Sequence, residues 1–481
     1  MTQSDLIAIL PILVVVGWAL VCLMVDLWIP NGRKGITAFL AALGLLAAMV
    51  IVIFQRGQTA LAFNGMVIQD GFAMFLDVIF LVSGLAGIAL AVDYLKRMNI
   101  ERGEYYILLM FTISGMMLMA HAYNLIIVFI SLELLSIPLY VLAGFARPRP
   151  ESEEASLKYF LLGTFASAFV LYGVALIFGA TGHTDFQGIT GAVIGKTVNP
   201  VLFLVGSGIL LVGFGFKIAA VPFHMWVPDV YQGAPSPVSG FMSVGAKAAG
   251  FAALLRVFAV VFPSQAANLT PVLWVLAALT MVLGNVLAVA QTNIKRLLAY
   301  SSIANAGYIL MAFVPYGQAK VLSNSIASAL FYLMAYAFTS LGAWAVVIAL
   351  ERAEGKGLQL DDYAGLGRKH PWLSLSMMVF MLSFTGVPLT LGFWGKFYLF
   401  RTTLQGGYVS LALIGLLTSL VSAYYYLRVV VIMYMRAGEP EVQGGLWINF
   451  TAFAAALTVV GLSFVPGPLF DMVAQALLKL Q

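Results

Sequence analysis

Residues 199–230 read NPVLFLVGSGILLVGFGFKIAAVPFHMWVPDV. The run is apolar enough for hydrocarbon. As one straight helix it would exceed about 40 Å, more than the ~30 Å core of a bilayer. Inside it stand Lys217 and the pair Val221-Pro222. Proline removes a backbone donor and clashes with the preceding turn, so a helix broken at Pro222 is expected. Broken backbone at membrane depth survives only inside protein or beside a polar cavity.

A second stretch has the same build. Residues 371–401, PWLSLSMMVFMLSFTGVPLTLGFWGKFYLFR, are also too long for one crossing, break at Val387-Pro388 and carry Lys396. The two breaks lie 166 residues and five expected helices apart. An odd number of crossings reverses direction, so two related five-helix units would be inverted relative to each other. A faint echo of Leu157-Lys158-Tyr159-Phe160-Leu161 in Leu330-Phe331-Tyr332-Leu333 points the same way. Inverted repeats with discontinuous helices are a recurring transporter design.

The rest of the chain agrees. Of 481 residues, 62% are hydrophobic and 9% charged, with a mean hydropathy of +0.99. Soluble domains carry about 25% charge, so a soluble enzyme is excluded. Apolar runs predict spans near 5–25, 36–54, 71–93, 104–121, 123–146, 156–179, 199–230, 235–258, 271–291, 296–314, 322–349, 371–401, 408–434 and 447–472. The expectation is an all-α polytopic membrane protein of about fourteen transmembrane helices. Helices 1–3 occupy 1–103, a first repeat 104–258, an inverted second repeat 271–434, and the last helix 447–481. A transmembrane β-barrel would show short alternating segments instead. The longest polar connection, about 350–370, is too short for an extramembrane domain. The N-terminal run lacks a basic leader and a small-residue cleavage site, so it reads as a retained helix. Cys22 stands alone, and the net charge of +5 is scattered, which argues against disulfides, clustered metal ligation and nucleic-acid binding.

Loops on the side of the N-terminus hold six basic residues, Arg56, Lys196, Arg256, Lys320, Arg401 and Lys479; the opposite loops hold fifteen, from Arg33 and Lys34 to Arg428 and Arg436. The positive-inside rule then puts both termini on the non-cytoplasmic side of a bacterial-type inner membrane. Four cations are left within spans: Lys158, Lys217, Lys247 and Lys396. All are lysines. Arginine effectively never deprotonates, whereas a desolvated lysine can release its proton near neutral pH.

Lys247, in SVGAKAAGFAALL, lies deep in its span among small residues, where snorkelling is difficult. Lys217 precedes the first break by five residues and Lys396 follows the second by eight. The bland alternative for each is a hydrogen-bonded structural lysine; for Lys396 it is snorkelling. Lys158 follows the acidic stretch ESEEAS and could simply reach water. Glu133 is the one glutamate within a span, and a carboxylate there wants a lysine partner or a wet cavity. Separating such a pair would favour proton release from the lysine. The alternative is a static ion pair. His224, beside the first break, is either a core histidine or a proton carrier. Asp77 has no identifiable partner, Asp229 reads as a cap or turn residue, and Tyr424-Tyr425-Tyr426 read as packing. A load of roughly 200 mV costs about 4–5 kcal/mol per charge. Splitting it among Lys217, Lys247 and Lys396 makes each step smaller.

The stretch KIAAVPFHMWVPDVYQGAPSPVSGFMSVGAK (217–247), with NLIIVFISLELLSIPLYVL and NIKRLLAYSSIANAGY, closely resembles the antiporter-like membrane subunits of proton-pumping NADH:quinone oxidoreductase, respiratory complex I, and subunit N in particular. The resemblance covers essentially the whole chain. It implies that Glu133 and Lys217 are the glutamate–lysine pair of the fifth and broken seventh helices. Lys158 corresponds to the sixth-helix lysine, Lys247 to the central relay lysine, and Lys396 to the terminal lysine of the broken twelfth helix. It further implies a hydrated axis moving protons in response to quinone reduction elsewhere. Asn305 departs from the histidine common in relatives; asparagine cannot titrate, which leaves a water-orienting role.

No dinucleotide fingerprint and no cysteine cluster occur, so flavin, iron–sulfur clusters and quinone are expected on partner subunits, and no cofactor on this chain. Partners are neighbouring antiporter-like membrane-arm subunits and the bilayer. Two other readings remain: a subunit of a multisubunit Na⁺/H⁺ antiporter or membrane-bound hydrogenase, and a structural membrane scaffold.

Overall fold

A computed structural model describes residues 2–30 and 32–475; Lys479 and the end of the region 447–481 lie outside the described residues. The first part comprises α1 (Gln3–Ala8), α2 (Leu10–Asp26), α3 (Gly35–Phe54), strands β1 (Ala60–Ala62) and β2 (Val67–Gln69), and α4 (Gly71–Arg97). Next come α5 (Glu104–His121), α6 (Leu125–Ala143), α7 (Pro150–Thr181), α8 (Phe186–Ile194), α9 (Pro200–Ile218), α10 (Trp226–Gly233), α11 (Ser236–Phe241) and α12 (Lys247–Val260). A π-helical turn, Met242–Ala246, joins α11 to α12. The second half runs through α13 (Ala266–Val289), α14 (Ile294–Phe313), α15 (Ala319–Leu350), α16 (Leu366–Lys369), α17 (Pro371–Thr385), α18 (Leu391–Gln405), α19 (Val409–Met435), α20 (Leu446–Gly461) and α21 (Pro466–Ala474).

Among the described residues, ten helical stretches are long and apolar enough to cross a membrane. The chain is a predominantly helical polytopic membrane protein. The expected first span, 5–25, is interrupted at Ile9, because Pro11 occupies the first turn of α2 and cannot continue α1. Side-chain oxygens of Asp70, Asn124, Asn199 and Asn293 cap α4, α6, α9 and α14, satisfying backbone donors at the helix starts.

Burial runs opposite to intuition for a soluble protein. The α11–α12 stretch is buried throughout and α15 almost so, while α3, α7 and α19 turn residues such as Phe39, Phe165 and Leu417 outward. Lipid is as apolar as leucine, so helices pair through close fit and not through hydrophobic exclusion. Gly115 is such a point: a Cβ there would lie 2.4 Å from the backbone nitrogen of Leu135, so α5 and α6 touch backbone to backbone.

One face of the first half carries a cap. The β1–β2 hairpin pairs antiparallel, Ala60 opposite Gln69, and Tyr123 N donates to Met66 O at 3.0 Å. Phe186 N donates to Tyr123 O at 3.2 Å, which ties α8 to the same face.

Three basic residues assigned to loops are instead buried. Arg256 lies within α12 and grips Asp70 through Nη1 (2.8 Å) and Nη2 (2.9 Å), its guanidinium 4.6 Å from the Phe72 ring centroid. Lys295 donates to Ala234 O at 2.7 Å, and Lys34 to Asp26 at 2.8 Å. Hydropathy treats the charged end of a helix as loop, but neighbouring helices close over it. The buried cations are therefore not all lysines. Asp70→Asn leaves the Arg256 charge buried without its counter-charge, and we expect a loss of about 3–5 kcal/mol. Thermal unfolding of the purified complex in detergent measures it.

Candidate functional site

The first interruption falls between α9 and α10, and α9 closes at Ala219, three residues before Pro222. Lysine in the last turn of α9 meets the carbonyl end of the helix, where a cation is favoured. Ala219 then takes a left-handed conformation, φ +63°, and Ala220 N donates back to Gly215 O at 2.8 Å, which closes the helix. The freed Val221 N donates to Thr280 Oγ1 at 2.9 Å. Pro222 lies in the turn that follows, exposed on its outer side.

Lys217 Nζ is buried and donates to Ser136 Oγ of α6 at 2.8 Å and to Tyr159 OH of α7 at 3.4 Å. The Tyr159 ring stacks on Trp226 at 4.7 Å, closing the aromatic wall around the amine. Glu133 stands three residues before Ser136 on the same face of α6. The expected ion pair is not formed: among the described residues no carboxylate lies within 4 Å of Lys217, and Glu133 Oε1 is buried without a hydrogen-bond partner. A hydroxyl has taken the lysine. His224, in the break, is half-buried, and its Nδ1 also lacks a partner.

Lys247 opens α12 directly after the π-helical turn, a distortion that recurs at functional sites. Its Nζ donates to Ser302 O at 2.6 Å and Ser302 Oγ at 2.9 Å. Gly250, one turn later, lets α9 approach: a Cβ there would lie 3.1 Å from Lys217 Cγ.

From Ser302 the polar line continues on α14. Ser301 Oγ is 2.5 Å from Tyr426 OH, Asn305 Nδ2 donates to Ser301 O at 2.9 Å, and Tyr332 OH donates to Asn305 Oδ1 at 2.5 Å. Tyr425 OH donates to Asn285 Oδ1 at 2.9 Å, and Asn285 Nδ2 donates to Tyr308 OH at 3.1 Å. Lys396 Nζ sits 4.8 Å from the Tyr308 ring centroid. It donates to Ser419 Oγ at 2.8 Å and to Thr385 O at 3.1 Å, an otherwise free carbonyl at the end of α17. The second break follows there: Gly386 has φ +88°, Val387 N donates to Leu382 O at 3.0 Å, and Pro388 is exposed.

Lys217, Lys247 and Lys396 are thus brought onto one buried axis, and Lys158 is not. Its side chain is 41% exposed and pairs with Glu154 and Asp229, each at 2.7 Å. Asp229 also receives Arg296 at 2.8 Å. It bridges α7 and α14 and is no cap. Lys158, Glu154 and Asp229 rim a cavity of about 550 Å³ whose wall includes the buried Lys295 and Glu351. Asp77 also has a partner after all, His121, at 2.8 Å.

The reading from sequence missed Tyr332, Tyr425, Tyr426, Ser301 and Ser302 as members of the axis. A usable signal existed: Ser301, Asn305 and Tyr308 recur at helical spacing in a run otherwise apolar. Glu351, at a helix end, gave no such signal. Among the described residues no group of three or more His, Cys, Asp or Glu is arranged to hold a metal ion.

Residues 122–422 match the family described as NADH:quinone oxidoreductase/Mrp antiporter, transmembrane. The chain is 47% identical over 468 residues to NADH-quinone oxidoreductase subunit N of Trichlorobacter lovleyi, covering 96% of this chain and 94% of that one. It is 45% identical over 484 residues to the protein of the same name from Chloroflexus aggregans, covering 99% and 98%. Its structure superposes on a chain of respiratory complex I from Thermus thermophilus with a TM-score of 0.84 and 35% identity, covering 97% and 99%. A chain of the Mrp complex from Dietzia sp. shares the fold, with a TM-score of 0.86 at 18% identity, covering 99% and 97%. The chain belongs to the NADH:quinone oxidoreductase/Mrp antiporter transmembrane family.

Proposed function

We propose that this chain is a proton-translocating, non-redox membrane-arm subunit of an NADH–quinone oxidoreductase, a translocase whose flavin, iron–sulfur clusters and quinone reside on partner subunits. Neighbouring antiporter-like subunits flank it in the membrane. Protons pass along Glu133, Lys217, Lys247 and Lys396. Lys158 acts at the mouth of the polar cavity, and His224 exchanges protons beside the first break. The observation that carries the reading is the buried run of polar side chains between Lys247 and Lys396, clustered around Ser301, Asn305 and Tyr426 and around Asn285, Tyr308 and Tyr425, with Lys217 packed against the helix of Lys247. An ammonium held only by neutral oxygens can give up its proton without stranding a counter-charge.

The chain is read as fourteen helices with inverted repeats over 104–258 and 271–434, flanked by 1–103 and 447–481. Two parallels support the repeats. Both breaks close with a left-handed residue and a donor reaching back five positions, Ala220 to Gly215 and Val387 to Leu382. Tyr159 touches Lys217, and Tyr332 packs 2.7 Å from where a Cβ on Gly395, beside Lys396, would lie. A sodium path would want clustered oxygen ligands, and the axis offers ammonium groups instead.

The test uses the assembled complex in sealed vesicles, comparing proton uptake with NADH oxidation. Lys217→Ala is expected to lower the protons moved per NADH oxidised while assembly persists. Unchanged pumping would make the chain a scaffold. Cysteines engineered at 97–102 and 352–369 are expected to label only from the cytoplasm, with both termini on the other side.

A further inference from the structure

Asp77 of α4 is fully buried, and its Oδ2 lies 2.8 Å from Nε2 of His121, the last residue of α5. The axis described above uses neither residue. The other two polar atoms of the pair, Asp77 Oδ1 and His121 Nδ1, are buried and have no hydrogen-bond partner. Asp70, two turns earlier on the same face, is the contrast: both its oxygens are held by Arg256, and Oδ1 also caps α4 through Ala73 N at 2.9 Å. One carboxylate is saturated and the other is not.

The packing sets the depth of the pair. Arg256 of α12 meets Asp70 of α4, and a Cβ on Gly87 of α4 would lie 3.5 Å from the Phe241 ring of α11. The two helical stretches therefore run side by side in opposite directions. Counted inward from the Asp70–Arg256 contact, Asp77 is about 10 Å along α4 and Lys247 about 13 Å along α12. They differ in level by less than one turn. The third helix packs at the same place, because Met116 Sδ of α5 lies 2.9 Å from a Cβ on Gly245 and His121 follows five residues later.

Contact with the carboxylate makes Nε2 the donor and leaves the Nδ1 lone pair free to accept. Resting on the proton-translocating reading above, we infer that Asp77 and His121 form a further proton-holding site between α4 and α5. In the step, an O–H bond of a hydronium ion on the hairpin face breaks and its proton binds His121 Nδ1. Water and an imidazolium result, and the Asp77 carboxylate compensates the new charge. Return of the proton to water on the hairpin face resets the pair. The charged or titratable groups around it are Asp70 and Arg256, already paired with each other, and Tyr123, which lies beside that pair. Arg56, beyond α3, is exposed.

The complete complex in sealed vesicles tests this with Asp77→Asn, Asp77→Glu and His121→Gln. Asp77→Asn keeps an oxygen to accept from Nε2 and removes only the charge. Protons moved per NADH are expected to fall in Asp77→Asn and His121→Gln, with NADH oxidation continuing, and to recover in Asp77→Glu. A merely structural pair would give full pumping in Asp77→Asn. The second readout is the infrared difference spectrum on NADH addition to the native complex carrying ring-¹³C histidine. An isotope-shifted imidazole band is expected, assigned to His121 by its loss in His121→Gln. Its absence overturns the inference, even if the variants fail to assemble. Lys247→Ala run alongside separates the two failures. Full pumping in Asp77→Asn with loss in Lys247→Ala sinks the pair alone, and full pumping in both sinks the translocation reading.

Discussion

Lys247→Ala leaves the complex assembled and slows proton transfer through this chain at least about 100-fold, the usual scale for removing a positioned proton donor or acceptor. Lys247 donates only to Ser302, at 2.6 and 2.9 Å. Its removal strands no opposite charge, so the fold loses no more than about 1–3 kcal/mol for the unmet acceptors. Lys247→Arg is expected to fail just as completely, because guanidinium keeps the charge but does not release the proton. Proton uptake by sealed vesicles, normalised to assembled complex, is the measurement. Recovery of pumping by arginine would show that charge alone suffices at this position.

Gly115→Val blocks assembly. The new Cβ would fall 2.4 Å from Leu135 N and 2.8 Å from Leu134 C, and backbone cannot step aside as a side-chain tip can. Helix α6 must move, taking Glu133 and Ser136 away from Lys217. Overpacking of this kind costs at least about 1–3 kcal/mol. The expected result is little or no mature complex on native gels. Gly87→Ala is the internal comparison: the nearest atom there is Leu109 Cδ1 at 3.2 Å, the end of a flexible side chain, and normal assembly is expected.

Both experiments concern features of different legibility. Lys247 announces itself, since a cation far inside an apolar run has few innocent explanations. Gly115 does not, being one of 46 glycines. The polar axis lies between these extremes. Its lysines were evident, whereas Tyr425 and Tyr426 sit in a tyrosine run that reads equally well as packing. Tyr424, their neighbour, is 60% exposed. Which of three adjacent tyrosines faces inward depends on how α19 is rotated against α13 and α14.

Hydropathy, proline and the lysine remainder act through the chain's own neighbours. The sequence alone therefore determined a polytopic helical membrane protein, and it set Lys217, Lys247 and Lys396 inside apolar runs, two of them carrying the internal prolines Pro222 and Pro388. The tertiary structure decided the partners. It gave Lys217 to Ser136 instead of Glu133, Asp77 to His121, Arg256 to Asp70, and Asp229 to Lys158 and Arg296. It also set Lys158 at a wet rim. Side chains dozens to nearly two hundred residues apart meet only because helices approach at particular rotations and depths, and the small residues that permit the approach carry no local mark of it.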